Sequence, residues 1–454
     1  MLKLRTWREK KRPHNPNNLI SNDGKRSGSG GFRFNFFELG GAVGDLGTLL
    51  PLSIALISLN RMDPTSVFLV VGLTYILVGL FYQLPVPVQP LKAVSAIAIA
   101  MGLSASVVSA SGLLMAVILL GLAVAGIMGP MARLFPKAIV RGIQLGLALI
   151  LLKAGISLIS RQQIVAGGGN VVINLAGVSL SMGWFLAVFM AVVFVLLLRN
   201  GRFPASLAVL GAGAVIGLFW GSLPGLRDVK MGLSFPTLAV PSFSDLSTAF
   251  ILLVIPQIPL TLGNAVFAAA DTAKTYYGAN AQRVSHRNLL TTMGIGNALA
   301  GFLGGVPVCH GSGGFTAHFR LGARTGAAPL AIGGMLLVLA IFVDGNVLPI
   351  LALIPYSTLG VLVAFVGIQH GLFIRDLKNI PEIVVALCVA VIAFVTTNLA
   401  IGFGTGMLIY GLIRLLSRGN RGPLSFGILR TRKNSVSVVP SPPAAVVGTV
   451  RTEP

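Results

Sequence analysis

Two stretches that lipid alone cannot accommodate interrupt this apolar chain at matching places. Leu84-Pro-Val-Pro-Val-Gln-Pro-Leu-Lys-Ala-Val-Ser95 comes first, and Gly305-Val-Pro-Val-Cys-His-Gly-Ser-Gly-Gly-Phe-Thr-Ala-His318 follows about 220 residues later. Each contains Val-Pro-Val, followed by polar residues and then small helix formers. Backbone groups freed by glycine and proline find no partner in hydrocarbon, so such segments must be buried in protein or line a water-filled cavity. Paired interruptions at corresponding positions of two halves point to the binding site of a secondary transporter.

The rest of the chain fits a membrane. Of 454 residues 54% are hydrophobic and 10% charged, against about 25% charged in a soluble domain, and the mean hydropathy is +0.87. The polar start carries no cleavable signal pattern. The net charge of +22 is concentrated in basic flanks such as Lys10-Lys11-Arg12 and Lys25-Arg26, the mark of cytoplasmic ends beside apolar spans. That placement argues against nucleic acid as a partner and leaves lipid as one. Cys309 and Cys388 stand in apolar segments, so no disulfide framework is expected.

Hydropathy divides the chain into about fourteen segments, with twelve as the alternative count, of an all-α polytopic membrane protein. Residues 1–35 read as a basic disordered cytoplasmic arm, 36–220 as a first set of seven, 221–246 as a connecting loop, 247–417 as a second set of seven, and 418–454 as a cytoplasmic tail. In the first set the segments lie near 36–59, 65–84, the broken stretch resuming at Leu91, 111–130, 141–160, 180–198 and 203–220. In the second they lie near 247–270, 288–304, the broken 305–320, 326–343, 347–368, 382–398 and 399–417. Segments three and ten are the broken ones, because Pro87 and Pro90 push the residues before them out of the helical region.

Charge supports this count. With the N-terminus cytoplasmic, the groups Arg133/Lys137/Arg141, Arg199/Arg202, Lys274/Arg283/Arg287, Arg320/Arg324, Arg375/Lys378 and Arg418/Arg421 fall on the cytoplasmic side. The outer side receives Arg61 with Asp63, Arg227 with Asp228, and Asp344. A repeat of seven spans also means that the second half is inverted relative to the first. Short matches in the same order agree: Leu39-Gly-Gly-Ala-Val43 with Leu262-Gly-Asn-Ala-Val266, and Val86-Pro-Val88 with Val306-Pro-Val308.

At Leu84–Ser95 and Val306–Arg324, and at Glu38-Leu-Gly-Gly-Ala-Val-Gly-Asp-Leu-Gly-Thr48, the chain resembles the type 1 molybdate transporters, a branch of the sulfate permease superfamily. The resemblance covers roughly residues 35–418. It implies fourteen segments in two inverted repeats, divided into core and gate domains, with the anion between the half-helices of segments three and ten. Two departures stand out. About 35 residues follow the last span, too few for the STAS domain that usually ends a sulfate permease. The position similar to that superfamily's eighth-segment glutamate, implicated in proton coupling, is Asn264.

A tetrahedral dianion such as molybdate or sulfate needs backbone N–H donors and positive potential. Helix N-termini supply both, and two half-helices starting near Gln89–Lys92 and Gly311–Gly314 could point at one ion. Glycines 311, 313 and 314 would permit close backbone approach, or merely tight helix crossing. Ser95, Ser312 and Thr316 could add hydroxyls, and Gln257 and Asn264 side-chain amides; the amides could equally hold helices together. Lys92 would stand inside the membrane, where a charge implies function. It could offset the dianion or pair with a carboxylate. Lys153 is read as snorkelling outward, and Asp271 as an end-of-helix charge.

Asp45 is read as the only carboxylate deep in a span, and it could carry a coupling proton, pair with Lys92 or cap a broken helix. His310, beside Cys309, could donate to the anion or titrate near neutral pH, while His318 would face the cytoplasmic half. Cys309, His310 and His318 form no metal-binding pattern, so no metal and no cofactor are expected.

The expected protein is thus not an enzyme but a proton-coupled molybdate symporter, multi-pass in the cell membrane with both termini cytoplasmic. The resemblance supplies the word molybdate; sulfate or another oxyanion shares its charge and shape. A passive anion channel is the reading from another class, and a homodimer is an assembly compatible with the chain.

Overall fold

The computed structural model describes residues 32–127, 135–165, 171–175, 178–200, 205–220, 235–236, 238–342 and 353–419. The basic arm up to residue 31, Arg133, Arg202, Arg227, Asp228, Asp344, Arg421 and the rest of the tail lie outside the described residues, as does most of the 221–246 connection.

The described chain is helical almost throughout. In order come α1 (Phe36–Asn60), α2 (Pro64–Tyr82), β1 (Gln89–Pro90), α3 (Lys92–Met101), α4 (Ala105–Ala125), α5 (Lys137–Ile159), the hairpin strands β2 (Val172–Leu175) and β3 (Val178–Ser181), α6 (Met182–Asn200) and α7 (Ala205–Trp220). The continuous helical run Phe243–Arg283 is α8. Then follow α9 (His286–Phe302), β4 (Val308–Cys309), α10 (Ser312–Arg320), α11 (Ala327–Phe342), α12 (Tyr356–Gly371), α13 (Ile380–Thr396) and α14 (Leu399–Gly419). By length and composition α1, α2, α4, α5, α8 and the run containing α12 can each cross a membrane; α3, α6, α7, α11, α13 and α14 are shorter apolar helices.

Local chemistry sets the boundaries. Asp63 caps α2 by accepting the Ser66 N–H at 2.8 Å, with Pro64 at the first helical position, where a missing N–H costs nothing. The segment expected at 111–130 begins earlier, because Ser104 caps α4, and it ends sooner, because Gly126 turns left-handed at φ 65°. Likewise α8 begins at Phe243, ahead of the expected 247, behind a Ser242/Asp245 capping box. Within α8 lie Pro256 and Pro259, flanked by π-helical turns at Phe250–Val254 and Thr261–Ala268. Proline removes a backbone donor from the helix ladder, and a wider turn is one way a helix absorbs that loss.

The helices pack in pairs: α2 along α11, α4 along α9, and α5 along both α12 and α13. The α5–α12 crossing is made by Gly155 and Gly360. A Cβ on either glycine would lie 2.6 Å from the other's carbonyl oxygen, so backbone touches backbone there, a hallmark of membrane helix packing. Arg141 of α5 clamps Asp376, just beyond α12, at 2.6 Å, and Lys137 adds a second contact at 3.4 Å. Lys153 is exposed at a cleft of about 130 Å³ bordered by α1, α3, α5 and α13, its ammonium 5.9 Å from the Phe394 ring centre.

Candidate functional site

The two interrupted stretches meet. β1 pairs antiparallel with β4 in the register Gln89↔Cys309 and Pro90↔Val308, and the Leu91 N–H donates to the Pro307 carbonyl at 2.8 Å. Prolines hold both stretches extended, so each satisfies the backbone groups that the other leaves free. α3 leaves one strand and α10 the other, and their N-termini become neighbours.

At that junction Gly311 leaves a space. A methyl group placed on Gly311 would sit 3.0 Å from Gln89 Oε1, 3.3 Å from Lys92 Nζ and 3.4 Å from Asn264 Nδ2. Three polar tips from β1, α3 and α8 therefore converge on one point. The Ser312 hydroxyl donates to Asn264 Oδ1 at 2.7 Å, which turns the Asn264 N–H₂ toward Gly311. Lys92 is half-buried and, among the described residues, has no carboxylate within ion-pair distance. Gln89 is buried, and its Oε1 has no hydrogen-bond partner. α10 starts at Gly311 without a side-chain cap; among the described residues, the N–H groups of Ser312 and Gly313 carry no hydrogen bond. Gly313 itself is exposed and borders open space.

The N-terminus of α3 differs from the expectation of free donors. Gln257 of α8 reaches across, and its Oε1 accepts the N–H of Ala93 at 2.9 Å and of Val94 at 3.4 Å. Its Nε2 donates to Thr261 at 3.0 Å. A side-chain amide thus occupies the donors that one of the two half-helices would offer.

Asp45 sits behind the junction, fully buried in α1, and pairs with neither Lys92 nor a helix end. It accepts from the Tyr75 hydroxyl, from Gln89 Nε2 and, at 3.2 Å, from the Val88 N–H. His318 Nε2 lies 3.9 Å from Asp45 Oδ2. Glu38 and Glu382 are buried too, each in the first turn of its helix. Glu38 accepts the N–H groups of Arg324 and Thr325 at 3.0 and 3.2 Å, closing the turn after α10.

Other expected site residues are engaged elsewhere. His310 is buried with both nitrogens in use, Nδ1 2.8 Å from the Pro87 carbonyl and Nε2 2.9 Å from Thr292 Oγ1. Ser95 donates to the Leu91 carbonyl at 2.9 Å. Thr316 donates to the Ser312 carbonyl at 3.3 Å and accepts from Tyr276 at the same distance. Cys309 lies on the paired strand, its sulfur 3.9 Å from the Pro90 carbonyl. A Cβ on Gly314 would come 2.7 Å from Asp45 Oδ1, so this glycine serves the close approach of α10 to α1. Tyr75, which bonds to Asp45, carries no signal in its apolar run; His318 stands out in the sequence, but its nearness to Asp45 does not.

Comparison with known proteins defines the class. The transmembrane domain of the cyanobacterial bicarbonate transporter BicA matches with a TM-score of 0.59 at 16% identity, covering 82% of this chain and 98% of that one. The murine Solute Carrier 26 family member A9 anion transporter, in its inward-facing state, matches with a TM-score of 0.60 at 17% identity, covering 85% of this chain and 69% of that one. The fold is theirs, and with the relatives that follow it makes the chain an integral multi-pass membrane protein and a membrane anion transporter, not an enzyme.

A family model described as "Molybdate transporter of MFS superfamily" matches residues 37–151 and 249–369. Molybdate transporter 2 of Arabidopsis thaliana is 27% identical over 408 residues, covering 83% of this chain and 87% of that protein. The chain belongs to the molybdate transporter family. Its fold matches fall with BicA and the Solute Carrier 26 member, whatever the superfamily in that description.

Proposed function

We propose that this protein carries molybdate across a cell membrane as a secondary active transporter coupled to protons, with the anion held against Gly311 between α3 and α10. The observation that carries the reading is the convergence of Lys92 Nζ and Asn264 Nδ2, together with Gln89 Oε1, on the buried backbone at Gly311, beside the unengaged N–H groups that begin α10. A tetrahedral dianion placed there meets an ammonium, an amide N–H₂ and the positive end of a helix. These are donors without a competing carboxylate.

Two inverted seven-segment repeats account for the packing. Adding seven to each helix number turns the α4–α9 pair into α11–α2, and both pairs are present. β1 and β4, which precede α3 and α10, pair with each other as the same operation requires. In this reading α1–α4 with α8–α11 form the core domain, α5–α7 with α12–α14 form the gate, and both termini are cytoplasmic. Asp45 is the candidate proton carrier; His310 supports that role poorly, because both its nitrogens are occupied.

The test is uptake of labelled molybdate into proteoliposomes, with excess sulfate as competitor and an imposed pH gradient. Saturable uptake that resists sulfate and rises with the gradient is expected. Equal competition by sulfate would make the protein a general oxyanion carrier, and flux that neither saturates nor responds to the gradient would make it a channel.

A further inference from the structure

We propose that Asp45 and His318 bind one proton between them, and that this pair, rather than Asp45 alone, brings the coupling proton into the transport cycle. The inference rests on the proton-coupled reading above.

The argument begins at Gly41. His318 Nδ1 lies 2.9 Å from the Gly41 carbonyl oxygen, and a carbonyl can only accept, so Nδ1 carries a hydrogen. On a neutral imidazole the other nitrogen is then a bare lone pair. That nitrogen, Nε2, is buried without a hydrogen-bond partner, and what faces it is Asp45 Oδ2 at 3.9 Å. Both side chains are wholly inaccessible to solvent. Every hydrogen-bond partner of Asp45, namely Tyr75, Gln89 and the Val88 N–H, is a donor, as suits an ionised carboxylate. With no further proton, two acceptors confront each other where no water can mediate. One added proton satisfies both. It sits on Nε2 directed at Oδ2, and it takes the pair from a charge of −1 to neutral.

The pair communicates with the anion cradle through a single side chain. Gln89 donates from Nε2 to Asp45 and presents Oε1 at the Gly311 space. A negative charge one glutamine away opposes a dianion in that cradle, because charges interact strongly where solvent is excluded. Neutralising the pair removes that opposition, so proton and anion favour each other's binding, and by linkage the effect is reciprocal. Co-binding of this kind is what a symporter requires.

Other ionisable groups do not substitute for the pair. On α2, Tyr75 bonds to Asp45 and Tyr82 to Thr292. On α3, Lys92 lies at Gly311. On α8, Tyr276 bonds to Thr316 and Tyr277 stands against Phe319, with Asp271 and Lys274 a turn nearer the helix start. On α12, His370 lies near Phe373 and Tyr356 under Arg161. On α1 and α10 themselves, Glu38 holds the turn at Arg324 and Arg320 ends α10. Of all these, Tyr75 is the one bonded to Asp45, and it offers a hydroxyl donor.

The experiment compares wild type, His318→Gln, Asp45→Asn and the double variant in proteoliposomes. Two rates are read: exchange of labelled for unlabelled molybdate without a gradient, and net uptake with the outside acidified. Exchange is expected to continue in His318→Gln at weakened molybdate affinity, because Asp45 keeps its charge, while the several-fold stimulation by the gradient disappears. The double variant should lose no more than either single variant, since one proton site has been removed in each. A His318→Gln protein that keeps the wild-type response overturns the inference and leaves the coupling reading intact. A wild type that ignores the gradient overturns the coupling reading, and this inference with it. Should His318→Gln not fold, adding molybdate to purified wild type in weakly buffered solution decides the matter. Uptake of about one proton per carrier is expected from the linkage, abolished in Asp45→Asn; no uptake by wild type overturns the pair.

Discussion

Gln257 accepts the N–H of Ala93 at 2.9 Å, so the start of α3 is closed by the protein's own amide. The two half-helices therefore stand unequal. α10 presents open N–H groups, and α3 presents donors already taken by a side chain from α8.

This inequality makes a prediction at position 257. Gln257→Leu keeps the bulk but strips the two buried α3 donors of their acceptor, and each orphaned donor costs about 1–3 kcal/mol. The melting temperature without ligand should fall. Molybdate should restore more of it than it adds to wild type, because an oxyanion can take the vacated donors. Equal molybdate shifts in both proteins would show that the anion never reaches α3.

Gly311→Ala crowds the cradle, and the side-chain tips around it must shift to admit the methyl. The methyl would lie 3.0 Å from Gln89 Oε1 and 3.3 Å from Lys92 Nζ. Monodisperse protein in normal yield is expected, with the KM for molybdate raised about tenfold or more, the equivalent of about 1.4 kcal/mol. Unchanged KM would move the site away from Gly311.

Lys92→Met removes the ammonium but retains a long apolar stem. Uptake at low molybdate should fall at least about tenfold, whereas Lys92→Arg should retain part of it. Titration of labelled molybdate on purified protein separates the two outcomes: affinity unaffected by Lys92→Met excludes this lysine from the cradle.

Gly155→Val tests packing rather than transport. Its Cβ alone would stand 2.6 Å from the Gly360 carbonyl oxygen, so α5 and α12 must separate, at a cost of about 1–3 kcal/mol or more. Lower yield and a lower melting temperature are expected on size-exclusion and thermal assays. Gly121→Val, where no atom lies within 4 Å of the added Cβ, should leave both measures unchanged.

Much of the cradle could be read from the chain because proline and glycine act locally. Pro87 and Pro90 dictate extended backbone wherever they occur, and the glycines at 311 and 313 mark backbone that must stay uncovered. Gln89, Lys92 and Ser312 are accordingly legible as neighbours of the breaks, whereas Asn264 is reached through the resemblance of its segment. What could not be read was direction across the fold. Nothing near His318 in sequence announces that its ring meets Asp45 and Gly41 of the first helix. Gln257 likewise reads as one more donor until α3 is seen beneath it. The burial of Glu38 depends on the turn at Arg324, nearly three hundred positions away, and Ser95 and His310 look available until their own partners are in view.

The two-residue ladder between β1 and β4 has a mechanical consequence. Its bonds tie the roots of α3 and α10 into a single jaw, so the two sides of the cradle cannot be parted like the halves of a clamp. On the proposed function, a passenger held there would be freed by a change in what faces the jaw, and any travel across the bilayer would be made with both halves in step.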